Sequence, residues 1–181
     1  MEQKYDKYAL FRRGADDGFI FGVYLTAMFF AMAYSQQIPM LSLIAMVLML
    51  GVPFYTYFFL RRAYVAELGT TNFSALWMQG IVMFFCGSLI MALTSFVFMR
   101  WIEPEFILTQ MESLAEAYRQ LNMTGSEEMA DTFQNAIDRG MIPTPIQVAM
   151  QLIWTGVFTG SILSIVMALI VPLRKLPTKP N

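Results

Sequence analysis

Asp16 and Asp17 are the only acids adjoining the core of an apolar stretch in this sequence, and Arg61-Arg62 closes the second such stretch. Carboxylates at membrane depth are costly, and those that persist there often mark ion or proton pathways. At the interface, Asp16, Asp17 and Glu103 are also the carboxylates that a lipid-modifying enzyme would use. Against both readings, the aspartate pair lies close to Arg12 and Arg13 and at a helix N-terminus, where negative charge is favourable in itself. The Arg61-Arg62 pair carries the charge to meet lipid phosphates or an anionic lipid-linked substrate. Basic residues at the end of an apolar stretch also act simply as topology anchors.

The other chemistry-bearing types are scarce. There is no histidine, and Cys86 is the one cysteine. Zinc, copper, haem and general-base sites thus lose their commonest ligand, and no disulfide framework exists. The 16 methionines offer thioethers, which bind Cu(I), yet they are scattered through the apolar stretches. Met111, Met123, Met129 and Met141 fall mostly at apolar helix positions, so filling of packing gaps is the expected role. Asn122-Met123-Thr124 matches a glycosylation acceptor, which matters only in a glycosylating compartment. Basic residues sit at borders rather than in a patch with interleaved aromatics, so no nucleic-acid partner is expected. No catalytic, cofactor-binding or metal-binding residue is assigned, and no cofactor.

The elements that hold these residues are four apolar stretches with almost no internal charge: Gly18–Tyr34, Met40–Leu60, Leu76–Met99 and Ile146–Val171. A bilayer core of ~30 Å needs roughly 20 apolar residues of helix, and only a helix satisfies its own backbone in lipid. With 57% hydrophobic residues in 181, the chain is expected to be an all-α polytopic membrane protein forming a single membrane domain, 1–181. Its spans are expected at about 14–34, 40–60, 76–99 and 146–171. Lys4, Lys7, Arg12 and Arg13 precede the first span, Arg61 and Arg62 follow the second, and Arg174, Lys175 and Lys179 follow the fourth. Between spans three and four, Arg100, Arg119 and Arg139 are outweighed by Glu103, Glu105, Glu112, Glu116, Glu127, Glu128, Asp131 and Asp138. The positive-inside rule then puts both termini in the cytoplasm and 100–145 outside. Ala31-Met32-Ala33 resembles a signal-peptide cleavage site, but that leader would be long and would carry Glu2, Asp6, Asp16 and Asp17, so the first span is expected to stay.

Residues 1–13 read as an amphipathic cytoplasmic lead-in and 172–181 as a cytoplasmic tail. Pro53 should kink the second span or free a carbonyl. Gly69-Thr70-Thr71-Asn72 is a turn, with Thr71 or Asn72 the expected N-cap of the third helix. Pro104 suits the first turn of a new helix, on which Ile107, Met111, Leu114, Tyr118 and Leu121 form one apolar stripe. Asn122 to Gly125 breaks it, and Ser126 with Glu127 and Glu128 starts another, lined by Met129, Phe133, Ala136 and Ile137 and ended by Gly140. The segment is therefore expected to be an extracytoplasmic amphipathic helical hairpin.

The strongest local patterns are ladders of small residues of the GxxxG kind: Gly14, Gly18, Gly22 and Thr26 on the first span, and Gly156, Gly160, Ser164 and Ala168 on the fourth. Lipid tails are as apolar as leucine, so helices associate in membranes through close backbone approach, which small residues at i and i+4 permit. A weaker version runs through Ser88, Ala92 and Ser95. The ladders serve either packing within one bundle or docking of another membrane protein or a second copy.

The glycine-laddered first span, Asn72-Phe73-Ser74-Ala75-Leu76 with Gly80, Glu103-Pro104-Glu105-Phe106 opening an acidic helical insert, and the closing span before Arg174-Lys175 together carry a resemblance over most of the chain. It resembles the four-span inner-membrane family of Bacteroidetes known as domain of unknown function 4199. That resemblance implies a multi-pass protein of the bacterial inner membrane, implies no activity or site residue, and suggests a membrane glycosyltransferase acting on lipid-linked sugars as a partner. The Asp16-Asp17 pair and the Pro172 to Pro180 tail differ from the family pattern. The expected function is a non-catalytic membrane accessory or scaffold protein, in contact with the lipid bilayer and with a membrane-protein partner or a second copy. The alternatives are a small oligomeric transporter or channel lined by Ser88, Thr94, Ser95, Thr155 and Thr159, and an interfacial lipid-modifying enzyme.

Overall fold

The computed structural model describes residues 7–67, 71–121 and 125–173, and these contain helices and turns but no strand. The lead-in before Lys7, Gly69 and Thr70, the Asn122-Met123-Thr124 acceptor and the charges Arg174, Lys175 and Lys179 lie outside the described residues. Six α-helices follow one another: α1 (Lys7–Ala33), α2 (Pro39–Ala66), α3 (Phe73–Val97), α4 (Phe106–Gln120), α5 (Ser126–Asp138) and α6 (Pro145–Ile170). A π-helical turn, Phe98–Ile102, extends α3, and a 3-10 turn, Val171–Leu173, extends α6.

Four of these runs are long and apolar enough to cross a bilayer: Phe11–Ala33, Pro39–Ala66, Phe73–Ile102 and Pro145–Leu173. The chain is a multi-pass membrane protein. Each span shows the pattern that water forbids and lipid allows: Leu43, Val47, Met49, Leu50, Phe54 and Phe58 of α2 all stand exposed. The helices outrun the apolar stretches because hydropathy and helicity are different properties. Arg12, Arg13, Asp16 and Asp17 precede the first stretch yet sit within the continuous helix α1, so residues 7–13 belong to the same rod as the span.

The chain divides into two compact units, Met1–Ala92 with Leu152–Asn181, and Leu93–Gln151. In the first, α1 and α2 form the hairpin that the short Ser35–Pro39 turn dictates, with Pro39 in the first turn of α2. Its core is one cluster of Phe21, Leu25, Phe59, Met83, Phe84 and Met91, and a second of Leu60, Ala63, Leu76, Ala168 and Val171. Asn72 precedes α3 and its carbonyl accepts from the Leu76 N–H at 3.2 Å, whereas the buried Thr71 hydroxyl has no hydrogen-bond partner among the described residues.

In the second unit, α4 and α5 pack against each other, with Tyr118 and Phe133 stacked at 5.9 Å. Of the expected stripes, Ile107 is buried, Met111, Tyr118, Phe133, Ala136 and Ile137 are half-buried, and Leu114, Leu121 and Met129 are exposed. Ala115 and Ala130 are buried as well. Pro104 lies before α4 rather than in its first turn, since the helix begins at Phe106 after a turn closed by the Phe106 N–H and the Glu103 carbonyl at 3.0 Å. Ser126 opens α5 but does not cap it; its hydroxyl donates back to the Leu121 carbonyl, and Gly125 (φ 89°) occupies the cap position. Gly140 (φ 67°) ends the helix in the left-handed conformation, with Met141 N–H on the Ala136 carbonyl at 2.8 Å and its own N–H on Ile137 at 2.9 Å. That pair of bonds is the Schellman closure.

Candidate functional site

The two glycine ladders both lie against α3. Along α1, a methyl group added at Gly14 would stand 3.0 Å from Val82 Cγ1, at Gly18 2.7 Å from Cys86 Cβ and 2.8 Å from the Met83 carbonyl, and at Gly22 2.9 Å from Ile90 Cβ. Val82, Cys86 and Ile90 advance by four as the glycines do, so α1 and α3 run parallel. Gly87 answers from α3, with the Gly18 carbonyl and the Gly22 nitrogen each 3.4 Å from where its Cβ would be. The second seam runs the other way. Gly156 faces Ser88, Gly160 faces the Phe84 ring, and Gly80 faces Ser164, so α6 lies antiparallel to α3 in steps of four. At its ends the pairing is reciprocal, a glycine on one helix taking a serine from the other. The hydroxyls of Ser88 and Ser164 are fully buried and have no hydrogen-bond partner among the described residues, as is also true of the Thr26 hydroxyl on α1. Ala168 completes the α6 ladder in the cluster with Leu76 and Val171.

The parallel seam carries the one buried acid among the described residues. Asp17 is 8% exposed and accepts a hydrogen bond of 3.4 Å from the Gln79 side chain, while Asp16, one residue earlier, is exposed. The expected pair is thus divided between two environments. Close approach at Gly14 and Gly18 is what brings Asp17 over Gln79, because both glycines sit within a turn of it on α1.

Two of the basic residues at this end, Arg13 and Arg61, are engaged with the protein. Arg13 pairs with Glu67 at 2.6 Å on the surface, rather than with either aspartate. Arg61 donates to the Val171 carbonyl at 3.0 Å and lies 5.7 Å from the Tyr64 ring centre, so it closes the C-terminal turn of α6. Farther along the spans, the Tyr24 hydroxyl donates to the Leu48 carbonyl on α2, a turn before Pro53. It reaches that carbonyl over Gly51, where any side chain would meet the Tyr24 oxygen.

A cavity of about 450 Å³ lies among α1, α2, α3 and α6 in the first unit. Its walls are Leu25, Met28, Phe29 and Met32 of α1, Met49, Val52 and Pro53 of α2, Phe84 and Met91 of α3, and Leu152, Thr155, Gly156, Thr159 and Leu163 of α6. The polar side chains in that wall are Thr155 and Thr159, and Thr159 donates back to the Thr155 carbonyl at 2.6 Å. Of the polar residues expected to line a pore, Ser88 and Ser95 are fully buried and only Thr155 and Thr159 are exposed. Among the described residues, no three His, Cys, Asp or Glu side chains gather in a metal-binding group.

Gln79, Glu67 and Tyr24 are the site residues that reading the sequence missed. Gln79 was the most visible of them, an amide inside an apolar stretch and directly before Gly80. Such a residue needs a partner in lipid, and the acid of α1 is one.

The chain belongs to the family described as "Protein of unknown function (DUF4199)", whose profile matches residues 16–172. No curated protein and no solved structure matches it.

Proposed function

We propose that this member of the family is a non-catalytic accessory or scaffold protein of the bacterial inner membrane. Its Arg-bearing ends would lie in the cytoplasm and its acidic α4–α5 hairpin outside, as the charge distribution along the chain favours. The observation that carries the reading is the surface of that hairpin. Leu114, Leu121 and Met129 stay exposed on short helices that lie outside the four candidate spans. Exposed apolar side chains outside the spans, away from lipid tails, are available for association. Glu112, Glu116, Glu127, Glu128 and Asp131 on the same helices disfavour an anionic lipid surface as the partner, which leaves protein. The resemblance drawn from the sequence suggests an envelope enzyme, such as a membrane glycosyltransferase, as that protein.

Polar groups in the spans support the same reading, since Gln79, Arg61 and Tyr24 each join one helix to another. Purification of the tagged chain from its host in mild detergent, with native mass measurement, tests the proposal. A stoichiometric enzyme partner is the expected result. A homo-oligomer with nothing else attached would favour the pore reading instead, and a clean monomer would overturn the scaffold in favour of an interfacial enzyme using Asp16 or Glu103.

A further inference from the structure

The cavity among α1, α2, α3 and α6 has walls, depth and an entrance that together specify an occupant. Its volume of about 450 Å³ is that of a small-ligand site. Water is a poor filler, because a buried water needs two or more polar partners. Here the Thr159 hydroxyl is turned to its own helix, and Ser88, behind Gly156, lies against the α6 backbone. Left empty, the walls would lack contact atoms on one side and forfeit dispersion energy.

Depth gives the next constraint. Val52 and Pro53 stand at the middle of the span Pro39–Ala66, and Thr159 at the middle of Pro145–Leu173. The cavity therefore lies at the level of hydrocarbon and not of headgroups. Its rim is exposed: Met32 at 52% and Met49 at 63%, with Thr155 and Thr159 also on the outer surface. These are surfaces of membrane-crossing helices, so the entrance gives onto lipid tails. Met28, Met32, Met49 and Met91 supply flexible thioethers that mould to an irregular chain.

We infer that this cavity holds one acyl chain of a membrane phospholipid, inserted sideways from the bilayer between α2 and α6. The test is reconstitution of the whole chain in vesicles of phosphatidylcholine bearing a photoactivatable diazirine at mid-chain, followed by peptide mass spectrometry. Phe84 and Met91 wall the cavity but are only 4% and 8% exposed, so the lipid around the protein does not reach them. Adducts on Phe84 and Met91, in addition to those on lipid-facing Leu43 and Val47, are expected. Adducts confined to the outer faces would overturn the inference. Thr159→Trp, which puts an indole into the space from an exposed position, should abolish the Phe84 and Met91 adducts and leave those on Leu43 and Val47. Retention of the inner adducts at wild-type yield would equally overturn it. Should that variant not assemble, the wild-type adduct pattern decides alone.

Discussion

At the scale of single residues, glycines in one ladder differ by what stands opposite them. A methyl group at Gly14 would meet Val82 Cγ1 at 3.0 Å and the Gln79 carbonyl at 3.3 Å, tight but not closed, whereas one at Gly18 meets Cys86 Cβ at 2.7 Å and the Met83 carbonyl at 2.8 Å, nearer than real Cβ contacts come. Gly18→Ala is therefore expected to destabilise the membrane domain by about 1–3 kcal/mol, as overpacking does, and Gly14→Ala by clearly less. Thermal unfolding in one detergent would check the order; equal losses would show that the seam yields as a whole. Asp17 gives a second prediction at this scale. Gln79→Leu removes the amide donor seen on Asp17 and leaves a buried acceptor short of a bond, with an expected cost of about 1–3 kcal/mol. Repeating Gln79→Leu in an Asp17→Asn background should cost less, since a neutral amide is cheaper to leave underbonded than a carboxylate. Additive losses would mean that the two side chains are not coupled. The sequence displayed the small residues but not their partners, because a glycine specifies how near a neighbour comes and not which neighbour it is. It displayed two adjacent acids as one pair, and only helical geometry, which turns Asp17 toward α3, separates them.

Among elements, those held by apolar length were the most legible. All four spans were expected from their apolar stretches, and their ends moved most where charge lies within helix, as at Arg61 and Arg62 of α2. The hairpin helices were legible as helices, and Ile107, Tyr118 and Phe133 of their stripes do turn inward, whereas Leu114, Leu121 and Met129 do not. Leu114 and Ala115 are neighbours in sequence and nearly a third of a turn apart, and at that point of the stripe the alanine is the buried one. Their punctuation was clear where backbone conformation demands it. Gly140 has φ 67°, a region where a side chain costs about 1–2 kcal/mol. Gly140→Ala is expected to fray the last turn of α5, visible as faster amide exchange at Met141, whose N–H closes the motif on Ala136. Gly140→Asn should recover part of the protection, because asparagine tolerates this conformation better than alanine. Unchanged exchange in the alanine variant would place the stop signal elsewhere.

For the whole molecule, the question is which surface meets the rest of the cell. Both small-residue ladders are engaged with α3, so of the two roles read from the sequence they serve packing within the bundle. Exposed apolar residues on the spans face lipid and need no partner. What remains is the α4–α5 hairpin, with Leu114, Leu121 and Met129 exposed among acids. Converting two of these to charge should remove association without touching a packed interior. The double variant Leu114→Glu with Met129→Glu is expected to lose a co-purifying partner, while thermal stability in detergent changes by no more than about 0.5 kcal/mol, the usual bound for surface substitutions. Gly18→Ala serves as the opposite control, lowering stability while leaving the hairpin surface intact. A partner that survives the hairpin variant but is lost from Gly18→Ala would assign recognition to the membrane domain. The spans, and not the acidic hairpin, would then be the surface that meets the partner.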